Sequence, residues 1–330
     1  MPGFTISTLL SLLALALTFI PGAAGAQDVK MLRIGTGGLL GVYYPVGKAL
    51  AEGITKAGVA PNLIALAQTS GGSEDNVRAL AAGEIEAGLV QADTAHRALK
   101  GQGTFAGNVR AAGIRAVASL YPERLQIIAR RDAGIRSVND LRGKAISLDM
   151  TGSGTLAVMR VVLEAHGLTE SDLSPVYLKP EFSQERLAQG KLHGVCLMAG
   201  TPAKAVSDII GPDFSLVPVK ADMAARIAER HPYLVPGLIP AGVYPGVPET
   251  ETVEVRALLV VREDMDEALV HGLAEAIWSG QTLDLLRQAH VQGRSVQPES
   301  ALTGLSIPLH EGAKRFYQER GLLPNGSPTP

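Results

Sequence analysis

The chain has 330 residues, 46% of them hydrophobic and 19% charged, with a formal net charge of −2. That balance, with no run of Lys or Arg, lacks the electrostatic footprint of a nucleic-acid-binding protein. Cys196 is the only cysteine, so an intramolecular disulfide and a cysteine-based metal cluster are both excluded.

Leu9 to Ile20 is an apolar run too short to span a bilayer comfortably. Pro21-Gly22 and then Ala24-Gly25-Ala26, an A-x-A cleavage site, follow it. This pattern predicts a signal peptide over 1–26, cut after Ala26, and an exported, periplasmic mature protein. No Lys or Arg precedes the apolar run, so the α-amino group supplies the only positive charge there. No later segment is long and apolar enough to span a membrane.

The first element after the leader runs from Met31 into the glycine loop Gly35-Thr-Gly-Gly-Leu-Leu-Gly41. A helix pattern follows, with Pro45 suited to a first turn and Val46, Leu50 and Ile54 spaced for one buried face. A strand, a glycine loop and a helix start present backbone N–H groups to an anionic or polar ligand. The loop misses the dinucleotide fingerprint because Leu40 stands where its third glycine belongs. It misses the phosphate loop because one residue too many precedes Gly47-Lys48, and Ala49 replaces the magnesium-binding hydroxyl.

Further predicted strands lie at 62–67, 87–91, 114–119, 125–130, 144–148, 175–178, 194–198, 214–219 and 254–262. Amphipathic segments at 45–57, 74–82, 155–165, 202–210, 266–279 and around 310–320 predict helices. The alternation implies an α/β protein with parallel sheets covered by helices. Gly58, Gly83, Gly167 and Gly190 read as helix stops. A weak repeat relates Leu80–Thr94 to Leu187–Thr201, matching Gly83 with Gly190 and Ala92 with Ala199. It suits two lobes of similar design facing one another. Crossings between lobes are expected at Leu120–Arg124 and over Pro236–Pro248.

Polar helix starts recur after strands. Ser73 and Asp93 read as N-caps after Ser70-Gly-Gly and Gln91-Ala, and Ser153 and Thr155 lie in Thr151-Gly-Ser-Gly-Thr155. Thr201 reads as a cap with Pro202 as the first helical residue. In open parallel sheets ligands bind at the carboxyl ends of strands, where these loops belong. Hydroxyls, amides and free N–H groups, with Tyr43, Tyr44, Tyr121 and Tyr244 as walls, would orient a small carboxylate or amino acid. Arg124, Arg130 and Arg131 read mainly as solvated surface, and Cys196, within Val195-Cys-Leu-Met198, as a buried inert thiol. The seven histidines are scattered with no H-E-x-x-H pair, and no serine sits in a G-x-S-x-G elbow. The expected protein is therefore a binding protein, not an enzyme, with no cofactor and no metal.

The ordered motifs Gly35–Pro45, Gly71–Asn76, Gln91-Ala-Asp93, Leu120–Glu123, Gly152–Thr155, Ile239–Gly246 and Pro308–Tyr317 span almost the whole mature chain. In them the sequence resembles the TAXI-type solute receptors of tripartite ATP-independent periplasmic (TRAP) transporters. The resemblance implies a two-lobed type II periplasmic-binding-protein fold with a ligand cleft between the lobes. Its expected units are a discontinuous first lobe, 27–122 with 255–330, and a second lobe, 123–254. It further implies a monomer that captures glutamate, glutamine or a dicarboxylate such as 2-oxoglutarate and hands it to an ion-gradient-driven permease. The candidate cleft residues are Gly38, Leu39, Tyr43, Ser70, Ser73, Gln91, Asp93, Ser153, Thr155 and Thr201. One departure is Leu39-Leu40, where the family usually has Thr-Gly; it makes a less polar ligand possible if either side chain faces the cleft. An exported sensor module and a secreted hydrolase on the same scaffold are the alternatives.

Overall fold

The computed structural model describes residues 29–324; the predicted signal peptide lies outside them. The chain opens with β1 (Lys30–Gly35), α1 (Tyr43–Ala57), β2 (Leu63–Gln68), α2 (Ser73–Ala82), β3 (Ala87–Gln91) and α3 (Ala92–Leu99). Val46, Leu50 and Ile54 are buried on one face of α1, as their spacing predicts, each stabilising the fold by roughly 1.5–3 kcal/mol. Gly58 ends the helix at φ 63°, in the left-handed region where a side chain would be strained. β1 lies between β2 and β3, and all three are parallel.

The long strand β4 (Ile114–Arg130) leads to a second unit of the same design. β5 (Ala145–Ser147), α4 (Gly154–Ala165), β6 (Ser174–Val176), α5 (Pro180–Ala188) and β7 (Gly194–Ala199) repeat the order of the first. β5 again lies between its two parallel neighbours, β6 and β7. The weak sequence repeat is thus a repeat of topology: Gly83 and Gly190 both turn the chain with positive φ into the strand that borders the centre of the sheet. Then come α6 (Lys204–Ser207), β8 (Phe214–Val217), α7 (Ala221–Arg230), β9 (Val235–Ile239), β10 (Thr250–Arg262), α8 (Glu267–Ile277), α9 (Gly280–Ala289) and α10 (Glu311–Glu319).

The sheet order is β2-β1-β3-β10-β4-β7-β5-β6, with β8 beside β4 and β9 beside β10. The antiparallel strands β4 and β10 pass through its centre and join the two lobes. β4 is one strand where the sequence predicts two, because Pro122 sits at a register shift, opposite Arg256, where a missing N–H is tolerated. The second crossing is β10 itself, not Pro236–Pro248; part of that stretch forms the unpredicted strand β9. The expected parallel sheets are real at each flank, but the centre is antiparallel. The architecture is the expected two-lobed α/β fold.

The C-terminal helices return to the first lobe. Tyr317 donates to the Val117 carbonyl at 3.0 Å and accepts from Trp278 Nε1 at 3.0 Å. Among the described residues no helix is long and apolar enough to cross a membrane.

Candidate functional site

The loops leaving the carboxyl ends of β1, β2 and β3 face those leaving β5, β6 and β7 around a cavity of about 70 Å³. From the first lobe come Gly37–Gly38 and Gly41–Tyr43, then Ser70–Ser73, then Gln91. From the second come Asp149, Ser153–Thr155, Lys179–Glu181 and the β7 segment Leu197–Ala199. Glu123, on the crossing strand β4, completes the wall. This is the placement that parallel strands with helical returns dictate, realised twice.

The lobes touch over the cavity. Leu40 donates its N–H to Glu181 Oε1 at 3.2 Å, and its carbonyl accepts from Ala205 N at 3.1 Å. Glu74 N donates to the Gly152 carbonyl at 3.0 Å. On another side His96 of α3 stacks on Tyr233, with ring centroids 4.5 Å apart. These contacts hold the two lobes in a closed arrangement.

Inside, the serine and threonine hydroxyls organise backbone. Ser70 Oγ donates to the Thr36 carbonyl and accepts from Gly72 N, which fixes the turn after β2. Ser73 Oγ accepts from Gln91 N at 3.1 Å, tying α2 to the end of β3. Ser153 Oγ caps α4 by accepting from Leu156 N at 3.1 Å. Thr155 Oγ1 accepts from Met198 N at 3.0 Å.

The charge of the wall is acidic: Glu123, Asp149 and Glu181 face a single cation, Lys179, among the described residues. Burial pushes Glu123 up to about 8, and bonds from Gln91 and Tyr43 offset only part of that rise. Burial likewise pushes Asp149 up to about 6, against bonds from Met150 N, Thr155 and Ser153. Tyr43, whose hydroxyl lies 3.4 Å from Glu123 Oε2 and from Ser73 Oγ, is held well above its ordinary value by burial and then by Glu123.

The structure brings Gly38, Tyr43, Ser70, Ser73, Gln91, Ser153 and Thr155 to the cavity wall. Leu39, Asp93 and Thr201 are not among the residues lining it. Leu39 is 59% exposed, because its neighbour Leu40 turns the loop's backbone inward to bond the second lobe. Asp93 is buried against Arg97 and Thr94 of its own helix. Thr201 Oγ1 accepts from Arg124 at 3.1 Å, while Gln292 binds its carbonyl.

The capping expectations also change. Gly72 (φ 111°), not Ser73, caps α2, and Gln91, not Asp93, caps α3. The Thr201-Pro202 bond is cis and the helix beyond begins at Lys204, so Pro202 is not its first residue. Of the expected tyrosine walls only Tyr43 lines the cavity. Tyr44 lies in a groove between α1 and α9, Tyr121 is packed beside Gly200, and the Tyr244 hydroxyl bonds Gln126 and accepts from Ala203 N. Arg124 is an interior partner of Glu254 at 2.8 Å, not solvated surface. Cys196 is fully buried, and burial pushes its thiol far up. No group of three His, Cys, Asp or Glu among the described residues could hold a metal.

Sequence reasoning missed Glu123, Asp149, Lys179 and Glu181. The topological repeat could have found the last three, because Lys179–Glu181 follows β6 as Ser70–Ser73 follows β2, and Asp149 follows β5 as Gly37 follows β1.

A family model described as the NMT1-like family matches residues 34–321. Among solved structures, a protein from Bordetella bronchiseptica RB50 is similar at 17% identity, over 90% of this chain and 84% of that one, with TM-score 0.54. A putative L-cystine ABC transporter from Listeria monocytogenes is similar at 15% identity, over 82% and 100% of the two chains, with TM-score 0.51. A Xanthomonas citri protein bound to ATP is similar at 13% identity, over 89% and 97%, with TM-score 0.50. Identities this low establish a shared fold. The family match extends over most of the sequence, and the chain belongs to the NMT1-like family.

Proposed function

We propose that this protein is a periplasmic solute receptor that captures a small organic solute by lobe closure and delivers it to a membrane permease. The observation that carries the reading is the backbone of Leu40, which bonds the second lobe through both its N–H and its carbonyl directly beside the cavity. A clamp of that kind makes contacts only in the closed state, so a ligand that adds contacts there shifts the population toward it. The moving bodies are 27–122 with 255–330 and 123–254, hinged where β4 and β10 cross. The ligand carries a carboxylate, as in glutamate, glutamine or 2-oxoglutarate, with Lys179 and the N–H groups of the glycine loop as its partners. The permease is of the ion-gradient-driven tripartite class. No step in this cycle calls for catalysis or a cofactor.

The test is a titration of the purified, ligand-stripped protein with amino acids and short mono- and dicarboxylates, followed by thermal unfolding and small-angle scattering. A true ligand raises stability, by about 2.7 kcal/mol at a hundredfold excess over Kd, and contracts the particle. Stabilisation without contraction would remove the closure mechanism, and recovery of an altered solute would favour the hydrolase reading. Uptake that survives ATP depletion but not an ionophore would identify the ion-driven permease. A solute response relayed to a membrane kinase without uptake would favour the sensor.

A further inference from the structure

The acids of the cavity differ from other buried or half-buried acids of this protein. Glu74 and Asp93 are paired with Arg97 at 3.0 and 3.5 Å, and Glu254 with Arg124 at 2.8 Å. Glu123, Asp149 and Glu181 form no such ion pair among the described residues, although Glu123 is only 1% exposed. Burial without a cation beside it holds such a carboxyl toward its neutral form, and a cationic ligand would let it ionise.

A second observation is independent of charge. Gln91 is 3% exposed, lines the cavity, and its Oε1 has no hydrogen-bond donor within the described protein. Glu181 Oε2 is in the same position. Both orphans are acceptors, so what completes them must be a donor.

The groups are contiguous. Gln91 bonds Glu123 on one side and on the other lies so close to Gly154 that a Cβ there would overlap Oε1. Gly154 stands between Ser153 and Thr155, whose hydroxyls both bond Asp149, and the Glu181 charge is felt at Asp149. These acids do not cluster tightly enough to hold a metal ion. They surround a polyatomic head instead.

We propose that the cleft selects solutes bearing a protonated amine, received by Gln91 Oε1, Glu123 and Asp149 and covered by Glu181 on closure. The assignment rests on the receptor reading and sharpens it: amino acids fit, and dicarboxylates without an amine, 2-oxoglutarate among them, do not. An ammonium group brings three donors to a cavity in which Gln91 Oε1 and Glu181 Oε2 have none, and its charge offsets the carboxylates.

The experiment is calorimetric titration of the purified protein with matched pairs that differ by the amine alone. The pairs are glutamate and glutarate, 4-aminobutyrate and butyrate, and alanine and propionate. The expected result is a Kd at least about tenfold lower for the amine-bearing member of whichever pair binds. Glu123→Gln and Asp149→Asn should each reduce that ratio to within about threefold; Asn tolerates the positive φ of 68° at position 149. Two variants guard against one failing to fold. Equal or tighter binding of the members lacking the amine, or a ratio unchanged in both variants, overturns the amine assignment while leaving the receptor intact. Failure of these six and of the wider panel of amino acids and short carboxylates to bind overturns the receptor reading together with it.

Discussion

Gly38 and Glu181 face each other across the closed cleft, and the fit leaves no room for a side chain. A Cβ added at Gly38 would lie 2.7 Å from Glu181 Oε1, the same atom that accepts the Leu40 N–H. Gly38 does not have a positive φ, so alanine there is unstrained in itself. Gly38→Ala should therefore act on closure and not on folding. Displacing the carboxylate loses one charge-assisted bond, and solute affinity should fall about tenfold while the unliganded protein keeps its stability within about 0.5 kcal/mol. In a Glu181→Ala background the same change should add nothing. Additive losses would mean that Gly38 acts on something other than Glu181.

Leu39 departs from the hydroxyl-bearing pattern of the resembling receptors, and its side chain faces solvent. Leu39→Thr should leave Kd within about twofold, by calorimetry on the same solute, because a surface exchange of this kind rarely exceeds about 0.5 kcal/mol. Leu40 is different, since its backbone carries the clamp. A large change in specificity from Leu39→Thr would place that side chain in the binding path after all.

What the sequence made legible followed from local rules. The period of Val46, Leu50 and Ile54 and the glycine stops at 58, 83 and 190 produced helices within two residues of their observed bounds or turns of the expected hand. β9 was hidden because Pro236 and Gly237 read as loop, yet an edge strand paired only with β10 accepts both. Thr201 and Asp93 look like any polar residue after a strand. Arg124 and Arg97 decide their roles: the first partnership is set in three dimensions, while the second is an i,i+4 pair on α3 that the sequence spacing allowed but did not single out. Glu123 was illegible for a related reason: Leu120–Arg124 read as a crossing between lobes, but nothing in the local pattern says which of its side chains faces the cleft. Only the crossing of β4 and β10 carries it into the cavity.

Ser153 and Thr155 line the cavity but also hold it together, which separates two effects in a mutant. Ser153→Ala removes the N-cap of α4, at a cost of about 1 kcal/mol. Thr155→Val keeps the shape but leaves Met198 N without its acceptor in the interior, at a cost of about 1–3 kcal/mol. Both also strip donors from Asp149, so its carboxyl should rise further above its ordinary range. Chemical denaturation should show the loss of stability before any ligand is added. Wild-type stability in both variants would mean that these bonds contribute nothing net.

Glu123 supplies a pH signature with a defined sign. Its carboxyl sits at about 8 in the folded protein against an ordinary value of 4.5, because burial disfavours the charge. Between those values the folded state keeps a proton that the unfolded chain has lost. Its contribution is therefore fully present below 4.5, and stability declines as pH rises toward 8, by up to about 1.4 kcal/mol per unit. The groups around it pull in opposite directions: the bonds from Gln91 and Tyr43 lower it, Asp93 raises it, and burial outweighs them all. Glu123→Gln removes the titration, so the stability of the variant relative to wild type should grow between pH 5 and 8 and then level off. Urea unfolding across that range measures the difference directly. Parallel pH profiles for the two proteins would show that Glu123 titrates alike in both states, and that the cavity is wetter than its closed geometry implies.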